Sequence, residues 1–497
     1  MRKLFLPLLF AVLSLSACVE LTLQIDEQPQ EPEGQERTWS GVNYFAANCM
    51  KLYYLWADSL KTELKQWGER ELTTDPFAKV ESIRYKQDGK DYDRWTEVTD
   101  NFGQMTSSVE GISTTYGCDI ILMKLDETYI CAVVTVVYAG SPAKEAGLQR
   151  GDVIVRINGE RMSRGNYYAL ATEGFLYSPS CKLTLYDGRD ISMTAVTMYE
   201  DPVVYHTVLD IGGKKVGYLV YTSFTLRSIN KLLGVFEGFR LAGVTELILD
   251  LRYNGGGYVT TEEMLASMLA PEANVKAGDV FEQTVYNKTM TDFYTRKEGE
   301  DALKTRFKTD FTWKDGAFTS SCDSRSGHLE LDHLYAIIDE GTASASEGLL
   351  VGLMPYLDVT LIGQQTHGKF CTGVMFGAQE WYDDYKDQMP SGRYAYKDYV
   401  EDWGLYVMIG RYADCNGHCP AMPDGLTPDI EAEDRPDFGY GFGDERDPML
   451  KEALVCAGRT DLKATAASTR TAPTPAPART PRQIVKPSFG RRILNLP

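Results

Sequence analysis

The residues best suited to chemistry are a serine and a lysine that each follow a short apolar run in the second half of the chain. Ser344 lies in the segment 341–347 (GTASASE), between a predicted strand and a predicted helix. The start of a helix has free N–H groups and the positive end of the helix dipole, and both stabilise developing negative charge. A serine at such a start often only caps the helix. The segment alone therefore leaves a catalytic role and a capping role open.

Lys369 is the candidate base for this serine. It lies in the segment 363–369 (GQQTHGK), after the next predicted strand, and should emerge at the same sheet edge as Ser344. A serine hydroxyl needs a nearby base to become a nucleophile, and burial can lower the pKa of a lysine from about 10.4 toward neutrality. A single lysine is more often a solvated surface charge. His367 is a second candidate base, and Ser346 is a second candidate nucleophile.

A glycine-rich segment, 250–257 (DLRYNGGG), follows a predicted buried strand. Consecutive glycines let backbone N–H groups approach a substrate closely. Gly256 and Gly257 could supply one half of an oxyanion hole, with the N–H of Ala345 as the other half. A phosphate-binding loop is the alternative, but the Walker lysine and the dinucleotide spacing are absent from this segment.

Residues 101–198 contain short β-rich runs and a segment, 141–159 (SPAKEAGLQRGDVIVRING), that resembles the PDZ family. An upstream loop and the strand after it resemble the site where PDZ domains bind a terminal carboxylate through backbone N–H groups while the peptide adds a strand. The candidate substrate-binding residues there are Tyr116, Gly117, Cys118 and Ile120. A plain turn at this loop is the competing interpretation.

In this order, behind a PDZ segment, the three chemical segments resemble the C-terminal processing peptidases, which are tail-specific serine proteases; the similarity spans about residues 40–455. The resemblance implies that Ser344 is the nucleophile and that Lys369, 25 positions later, is its base. It also implies cleavage of peptides recognised by their C-termini through an acyl-enzyme. One departure is Gly373, where typical members carry a glutamine or glutamate that orients the lysine. Either another group orients Lys369 here, or the activity is weaker than usual.

The expected fold class is α/β and multidomain: a crotonase-like (ClpP/crotonase) protease core with an inserted β-rich PDZ domain and a small helical N-terminal domain. The predicted boundaries are a lipoprotein signal peptide and lipobox at 1–18, a flexible tether at 19–37, the helical domain at 38–100, the PDZ domain at 101–198, the protease core at 199–457 and a disordered basic tail rich in Pro, Thr and Ala at 458–497.

The N-terminus predicts a lipid anchor. Its apolar run, 4–15, has about 12 residues and is shorter than the roughly 20 that span a bilayer. The run ends in Leu-Ser-Ala-Cys, which resembles a bacterial lipobox with Cys18 as the lipidated residue. The expected address is therefore the cell envelope, at the outer membrane facing the periplasm or the surface. An ordinary signal peptide with an incidental cysteine is the alternative.

Charge and cysteine usage exclude other classes. The formal net charge of -19 argues against nucleic acid as a partner, because a phosphate-binding face needs excess positive charge. Nine cysteines besides Cys18 form no disulfide framework, and Cys415, His418 and Cys419 lack a fourth ligand, so neither a metal nor a cofactor is expected. Two rivals to the protease remain. One is a weak or inactive PDZ-bearing lipoprotein scaffold that binds protein C-termini, which Gly373 favours, and the other is a lipid or small-ligand carrier.

Overall fold

The structure is a computed structural model that describes residues 34–315, 318–464 and 483–485. The predictions for the signal peptide, for Cys18 and for the tether before residue 34 lie outside these residues, as does most of the predicted tail. Within the described ranges, no helix has the length and apolar character needed to cross a membrane.

The N-terminal region is built from three helices and three short strands. They are α1 (Gly34–Tyr53), α2 (Lys61–Arg70), α3 (Pro76–Ile83), β1 (Lys86–Gln87), β2 (Lys90–Asp91) and β3 (Glu97–Thr99). Helix α1 begins at Gly34, so residues 34–37 are helical although the sequence prediction placed them in the tether. Buried side chains of this region, such as Phe45 and Trp67, share one hydrophobic core with the protease region. The two regions are therefore packed together through apolar contacts.

The PDZ region has a hydrophobic core of its own. Its elements are α4 (Phe102–Val109), β4 (Ile112–Thr115), β5 (Cys118–Lys124), β6 (Ile130–Val137), α5 (Pro142–Glu145), β7 (Val153–Ile157), β8 (Glu160–Arg161), α6 (Tyr167–Ala171), β9 (Ser180–Leu185), β10 (Asp190–Thr194) and β11 (Val196–Tyr199). The main sheet has the order β10-β9-β7-β6-β5, and a strand from the end of the chain, β24 (Gln483–Val485), pairs antiparallel with β5. Residues 483–485 are thus a strand, although they lie in the segment predicted to be disordered.

The protease region alternates strands with helices. Its elements are β12 (Val203–Ile211), β13 (Lys214–Tyr221), α7 (Ile229–Leu241), β14 (Glu246–Asp250), α8 (Val259–Leu269), α9 (Glu272–Ala277), β15 (Val280–Tyr286), α10 (Lys288–Glu298), β16 (Lys304–Arg306), β17 (Asp310–Asp315), β18 (Phe318–Asp323), β19 (His333–Ile338), α11 (Ala345–Leu353), β20 (Val359–Gly363), β21 (Cys371–Gly377), α12 (Ala378–Asp384), β22 (Gly404–Ala413), β23 (Ile430–Glu431) and α13 (Pro448–Cys456).

Two sheets organise these elements. The first has the order β12-β13-β14-β19-β20-β23 and is parallel from β13 onward. Strands β14 and β19 are almost wholly buried, which matches the apolar residues at their centres. The second sheet is antiparallel, with the order β16-β15-β22-β21 and with β3 on β22. The stretch 271–329 contains two α-helices and four strands, and β15 joins the second sheet through β22.

Candidate active site

Three neighbouring strands bring the three chemical segments to one edge of the first sheet. Strands β14, β19 and β20 lie side by side and parallel, so their carboxyl ends meet at the same edge. The glycine-rich segment follows β14, Ser344 stands between β19 and α11, and Lys369 follows β20. The structure therefore places the predicted nucleophile, base and oxyanion residues around one point.

Ser344 and Lys369 form a buried pair. Lys369 Nζ lies 3.4 Å from Ser344 Oγ, and neither residue has exposed surface. Ser344 has a φ of 63° and a ψ of −117°, a backbone conformation that non-glycine residues rarely adopt. Such conformations concentrate at functional sites, where the surrounding structure holds them in place. The serine is thus held at the beginning of α11 in a strained turn that faces the lysine.

Aromatic side chains surround the lysine amine. Its Nζ lies 3.0 Å from Tyr406 Oη, 5.2 Å from the centroid of the Tyr406 ring and 5.5 Å from the centroid of the Trp95 ring. Tyr406 comes from β22, and Trp95 from the N-terminal region just before β3. Because water is largely replaced by aromatic carbon here, the charged form of an amine at this position loses most of its hydration.

Glu347, in the first turn of α11, fixes the two backbone segments relative to each other. Its Oε2 accepts hydrogen bonds from the N–H groups of Ser344 (2.9 Å) and Lys369 (2.8 Å). Its Oε1 accepts from Thr366 Oγ1 (2.5 Å) and from the N–H of Gly368 (2.7 Å). Burial raises the pKa of Glu347, while these four donors oppose the rise. With four donors and two acceptor oxygens, the geometry is that of a carboxylate.

Tyr412 makes a second link between the same two segments. Its Oη lies 3.0 Å from the carbonyl oxygen of Ser344 and 2.9 Å from that of Lys369. Like Tyr406, it belongs to β22 and is fully buried. The nucleophile and the base are consequently tied by a carboxylate through their N–H groups and by a tyrosine through their carbonyl groups.

The predicted oxyanion residues differ in whether their N–H groups are available. Gly256 lies against the serine, since a methyl group on it would stand 2.7 Å from Ser344 Cβ, but its own N–H donates to Asn254 Oδ1 at 3.0 Å. Gly257 and Phe224 form an isolated parallel β-bridge. Its two hydrogen bonds join Phe224 to the carbonyl oxygen of Gly256 and to the N–H of Tyr258, so the N–H of Gly257 takes no part in it. Among the described residues, nothing accepts a hydrogen bond from the N–H of Gly257 or of Ala345. Among the predicted oxyanion residues, Gly257 and Ala345 therefore differ from Gly256, whose N–H is already used within the protein.

The competing candidates have other contacts. Ser346 Oγ donates to the carbonyl oxygen of Asn254 at 3.0 Å. The His367 ring packs edge-on against Trp95 at a centroid distance of 5.9 Å, and a hydrogen bond to the Glu340 backbone holds it. Burial lowers the pKa of His367 to about 3, and the charges of Arg94 and Lys369 add to the effect.

The predicted peptide-binding loop of the PDZ region is tightly packed. Gly117 has a φ of 72°, and a methyl group on it would lie 2.2 Å from Ser141 Cβ. Its N–H donates to Thr115 Oγ1 at 2.9 Å. The side chains of Tyr116, Cys118 and Ile120 are buried in the PDZ core. The backbone of Ile120 pairs with Val485 of β24, so the edge of β5 that would receive a peptide is occupied by this chain's own strand.

A buried arginine of the PDZ region reaches the glycine-rich segment. Arg150 Nη1 donates to Tyr253 Oη at 2.9 Å, and its Nη2 donates to Asp434 Oδ1 at 3.0 Å. Tyr253 directly precedes Asn254, has a φ of 62° and also donates to Asp434. Arg252, fully buried, bonds Asp434 as well. The PDZ region and the glycine-rich segment are therefore joined by one network of charged side chains.

Sequence reasoning did not identify Tyr406, Tyr412, Trp95 or Arg150 as site residues. Tyr406 and Tyr412 lie in an apolar run, where a core role is the ordinary expectation, and Trp95 lies in a polar stretch. The one signal in the sequence was Gly373, which implied either another orienting group for Lys369 or a weaker activity.

Two parts of the chain match the sequence models of known protein families. Residues 215–432 match the sequence model of peptidase family S41, and residues 133–169 match that of a PDZ domain. Carboxyl-terminal-processing peptidase 3 of Arabidopsis thaliana chloroplasts is 27% identical over 245 residues, which cover 46% of this chain and 41% of that protein. The carboxy-terminal processing protease CtpA of Bacillus subtilis is 26% identical over 247 residues, which cover 49% of this chain and 45% of that protein. The chain thus spans less than half the length of either relative.

A solved structure shares the fold. A candidate S41 protease from Bacteroides fragilis superposes with a TM-score of 0.60 at 21% identity, covering 83% of this chain and 97% of that one. The resemblance noted in the sequence is confirmed: this chain carries a peptidase family S41 domain together with a PDZ domain, and the relatives that it matches are named carboxyl-terminal processing proteases.

Proposed function

We propose that this protein is a serine endopeptidase that works through a dyad of Ser344 and Lys369 and forms an acyl-enzyme. The observation that carries the proposal is the 3.4 Å approach of Lys369 Nζ to Ser344 Oγ at the buried start of α11, beside two uncommitted backbone N–H groups. A nucleophile within reach of a base, next to oxyanion donors, is the arrangement that acyl transfer requires.

In the first half of the reaction, neutral Lys369 accepts the hydroxyl proton of Ser344 as Oγ bonds to the carbonyl carbon of the scissile peptide. The N–H groups of Ala345 and Gly257 then hold the oxyanion of the tetrahedral intermediate. The ammonium of Lys369 gives its proton to the departing amine as the C–N bond breaks, which leaves an ester on Ser344. In the second half, Lys369 takes a proton from water as the water oxygen bonds to the ester carbonyl carbon. The ammonium then returns this proton to Ser344 Oγ as the ester C–O bond breaks, and the acid product leaves.

Reaction with a fluorophosphonate probe tests the nucleophile. We expect the wild-type protein to be labelled on Ser344, as mapped by mass spectrometry of the labelled peptide, and Ser344→Ala to be neither labelled nor able to cleave an unfolded peptide. Far-UV circular dichroism of Ser344→Ala should match the wild type, since the change deletes one hydroxyl. Labelling on Ser346 instead would move the nucleophile. An unreactive wild type would favour the scaffold that binds C-termini without cutting them.

The base is tested by Lys369→Met, which keeps the aliphatic stem and removes the amine. We expect loss of turnover, and in the wild type we expect activity to rise with pH, because only the neutral amine can accept the serine proton. A cleaving Lys369→Met protein beside an inactive His367→Ala protein would assign the base to His367.

We further propose that substrates are recognised by their free C-termini in the PDZ region, at the loop of Tyr116, Gly117 and Cys118 and along β5 from Ile120. The support is the PDZ match, together with the fact that the edge of β5 accepts an antiparallel strand. Amidation of a peptide terminus removes the charge that loop donors would hold, a loss of about 1–3 kcal/mol or roughly five- to 150-fold in capture. Equal cleavage of a free-acid peptide and its amide would show that the PDZ region does not read the terminus.

We also propose a fold for the protease region and a membrane anchor for the protein. The protease region is proposed to be a crotonase-like core bearing a helical N-terminal domain, which the parallel sheet with crossover helices and the helices α1 to α3 support. The protein is proposed to be a lipoprotein anchored in the cell envelope through Cys18, which the lipobox-like sequence supports. Incorporation of a labelled fatty acid that is lost in Cys18→Ser would test the anchor.

A further inference from the structure

The position that orients the lysine in typical members of the family holds a glycine in this chain, and a tyrosine fills the space beside it. Gly373 lies in β21 opposite Met408 of β22, just after an irregularity in the pairing. A methyl group on Gly373 would stand 2.5 Å from Met408 Cε, 2.6 Å from Tyr406 Cε2 and 2.7 Å from Tyr406 Cζ. The end of the flexible Met408 side chain can move aside, but the ring is rigid. Contacts that short do not occur, so no larger residue fits at 373 while the Tyr406 ring stays where it is.

The glycine is therefore explained by the tyrosine and not by the backbone. Gly373 is not among the residues with positive φ, and its strand conformation is open to any residue. The ring that excludes a side chain at 373 carries its hydroxyl to within 3.0 Å of Lys369 Nζ, closer than Ser344 Oγ at 3.4 Å. The phenol thus stands where a side chain from position 373 would have to act.

We propose that Tyr406 is the residue that positions Lys369, in place of a side chain at position 373; this inference rests on the proposed function. A neutral amine has two N–H donors and one lone pair. When one N–H donates to Tyr406 Oη, rotation of the amine is restricted and the lone pair can be held toward Ser344 Oγ. After proton uptake, the ammonium keeps the same acceptor.

The choice of a phenol has a chemical consequence. A carboxylate at this distance would favour the ammonium form through its charge and would oppose the function of the lysine as a base. A phenol is neutral, so it directs the amine with a smaller preference for the charged form. The Tyr406 ring also removes water from one side of the amine, since the residue has no exposed surface.

The main test is Tyr406→Phe, which keeps the ring and removes only the hydroxyl. We expect kcat to fall by about 10- to 100-fold, the range for loss of a hydrogen bond to a charged group. We also expect the apparent pKa of the kcat/KM profile to move downward, because the ammonium loses an acceptor while the amine stays buried. Gly373→Ala, which pushes the ring away from Lys369, should change kcat and the profile in the same directions.

Tyr382→Phe is the matched control. It removes an equally buried tyrosine hydroxyl, which donates to the Gly41 carbonyl oxygen away from the site, and it should leave kcat and the pH profile unchanged. If the wild type cleaves and Tyr406→Phe shows the wild-type kcat and profile, this inference alone is overturned. A fall in kcat without any change in the profile also overturns it, since that would be a packing effect. A wild type that neither cleaves nor reacts with the fluorophosphonate overturns the proposed function, and this inference with it.

Discussion

Lowering the pH should destabilise this protein through His367, which is enclosed next to Lys369. The unfolded chain binds a proton on this histidine below its ordinary pKa of 6.5, whereas the folded chain binds one only near 3. Between these values the unfolded state holds more protons, so the free energy of unfolding rises with pH and falls as the medium is acidified. The stability that the neutral ring contributes is complete above pH 6.5 and is lost toward pH 3.

The size of this effect follows from the two pKa values. Between pH 8 and pH 5, a histidine that moves from 6.5 in the unfolded chain to about 3 in the folded chain removes about 2 kcal/mol of stability. The figure hardly depends on the folded value, because pH 5 lies well above it. The imidazole ring of His367 stays neutral because it is buried against Trp95 and lies near the positive charges of Arg94 and Lys369.

The assay is equilibrium urea unfolding at pH 8 and pH 5 for the wild type and for His367→Gln, whose amide can still donate to the Glu340 carbonyl group. We expect the wild type to lose about 2 kcal/mol more than the variant between the two pH values, while every other titrating group cancels in the comparison. The variant should also keep the shape of the wild-type kcat/KM profile above pH 5. Equal pH dependence of stability in the two proteins would refute the reasoning, because His367 would then titrate as in the unfolded chain.

Three further predictions concern the contacts around the dyad. Arg150→Met should lower kcat/KM by about 10- to 100-fold by removing charged hydrogen bonds to the Tyr253 network beside the oxyanion segment; peptide cleavage measures this, and an unchanged value would show that PDZ contact does not affect the site. Glu347→Gln should lower the free energy of unfolding by about 1–3 kcal/mol because its amide meets backbone donors; unchanged stability in urea would mean that Glu347 is a neutral acid. Ending the chain after residue 464 removes β24 from β5 and should lower KM for free-acid peptides, by about tenfold if the pairing is worth 1.4 kcal/mol; an unchanged KM would mean that peptides bind elsewhere.

The sequence identified those site residues whose positions follow from the order of the strands along the chain. Ser344, Lys369 and the glycine-rich segment each follow a buried apolar strand, and adjacent parallel strands deliver the segments that follow them to the same edge. The partner of the lysine is different in kind. Tyr406 reaches Lys369 from an antiparallel strand of the second sheet, and that contact depends on a pairing register that is irregular after Thr372. Nothing in the local sequence specifies such a register.

The stretch 271–329 shows why some short strands are hard to predict from sequence. Strands β15, β16 and β18 carry polar and charged residues and lack a clear apolar alternation. Strand β15 is specified by its pairing with β22, a contact between residues more than 100 positions apart. The N-terminal helices are similar, since their apolar faces are clear in the sequence but the core they join is supplied by the protease region.

Strand β22 contributes residues of the second sheet to a site whose other residues follow strands of the first sheet. The first sheet delivers Ser344 and Lys369 on separate segments, and Glu347 joins these segments through their N–H groups. From β22, Tyr412 bonds both of their carbonyl oxygens and Tyr406 bonds the amine itself. Strand β22 also pairs with β3, which begins two residues after Trp95, and the ring of Trp95 lies beside the Lys369 amine. These contacts form when the protein folds, so the site would need little reorganisation during the proposed reaction. Preorganisation of this kind lowers the barrier to reaction.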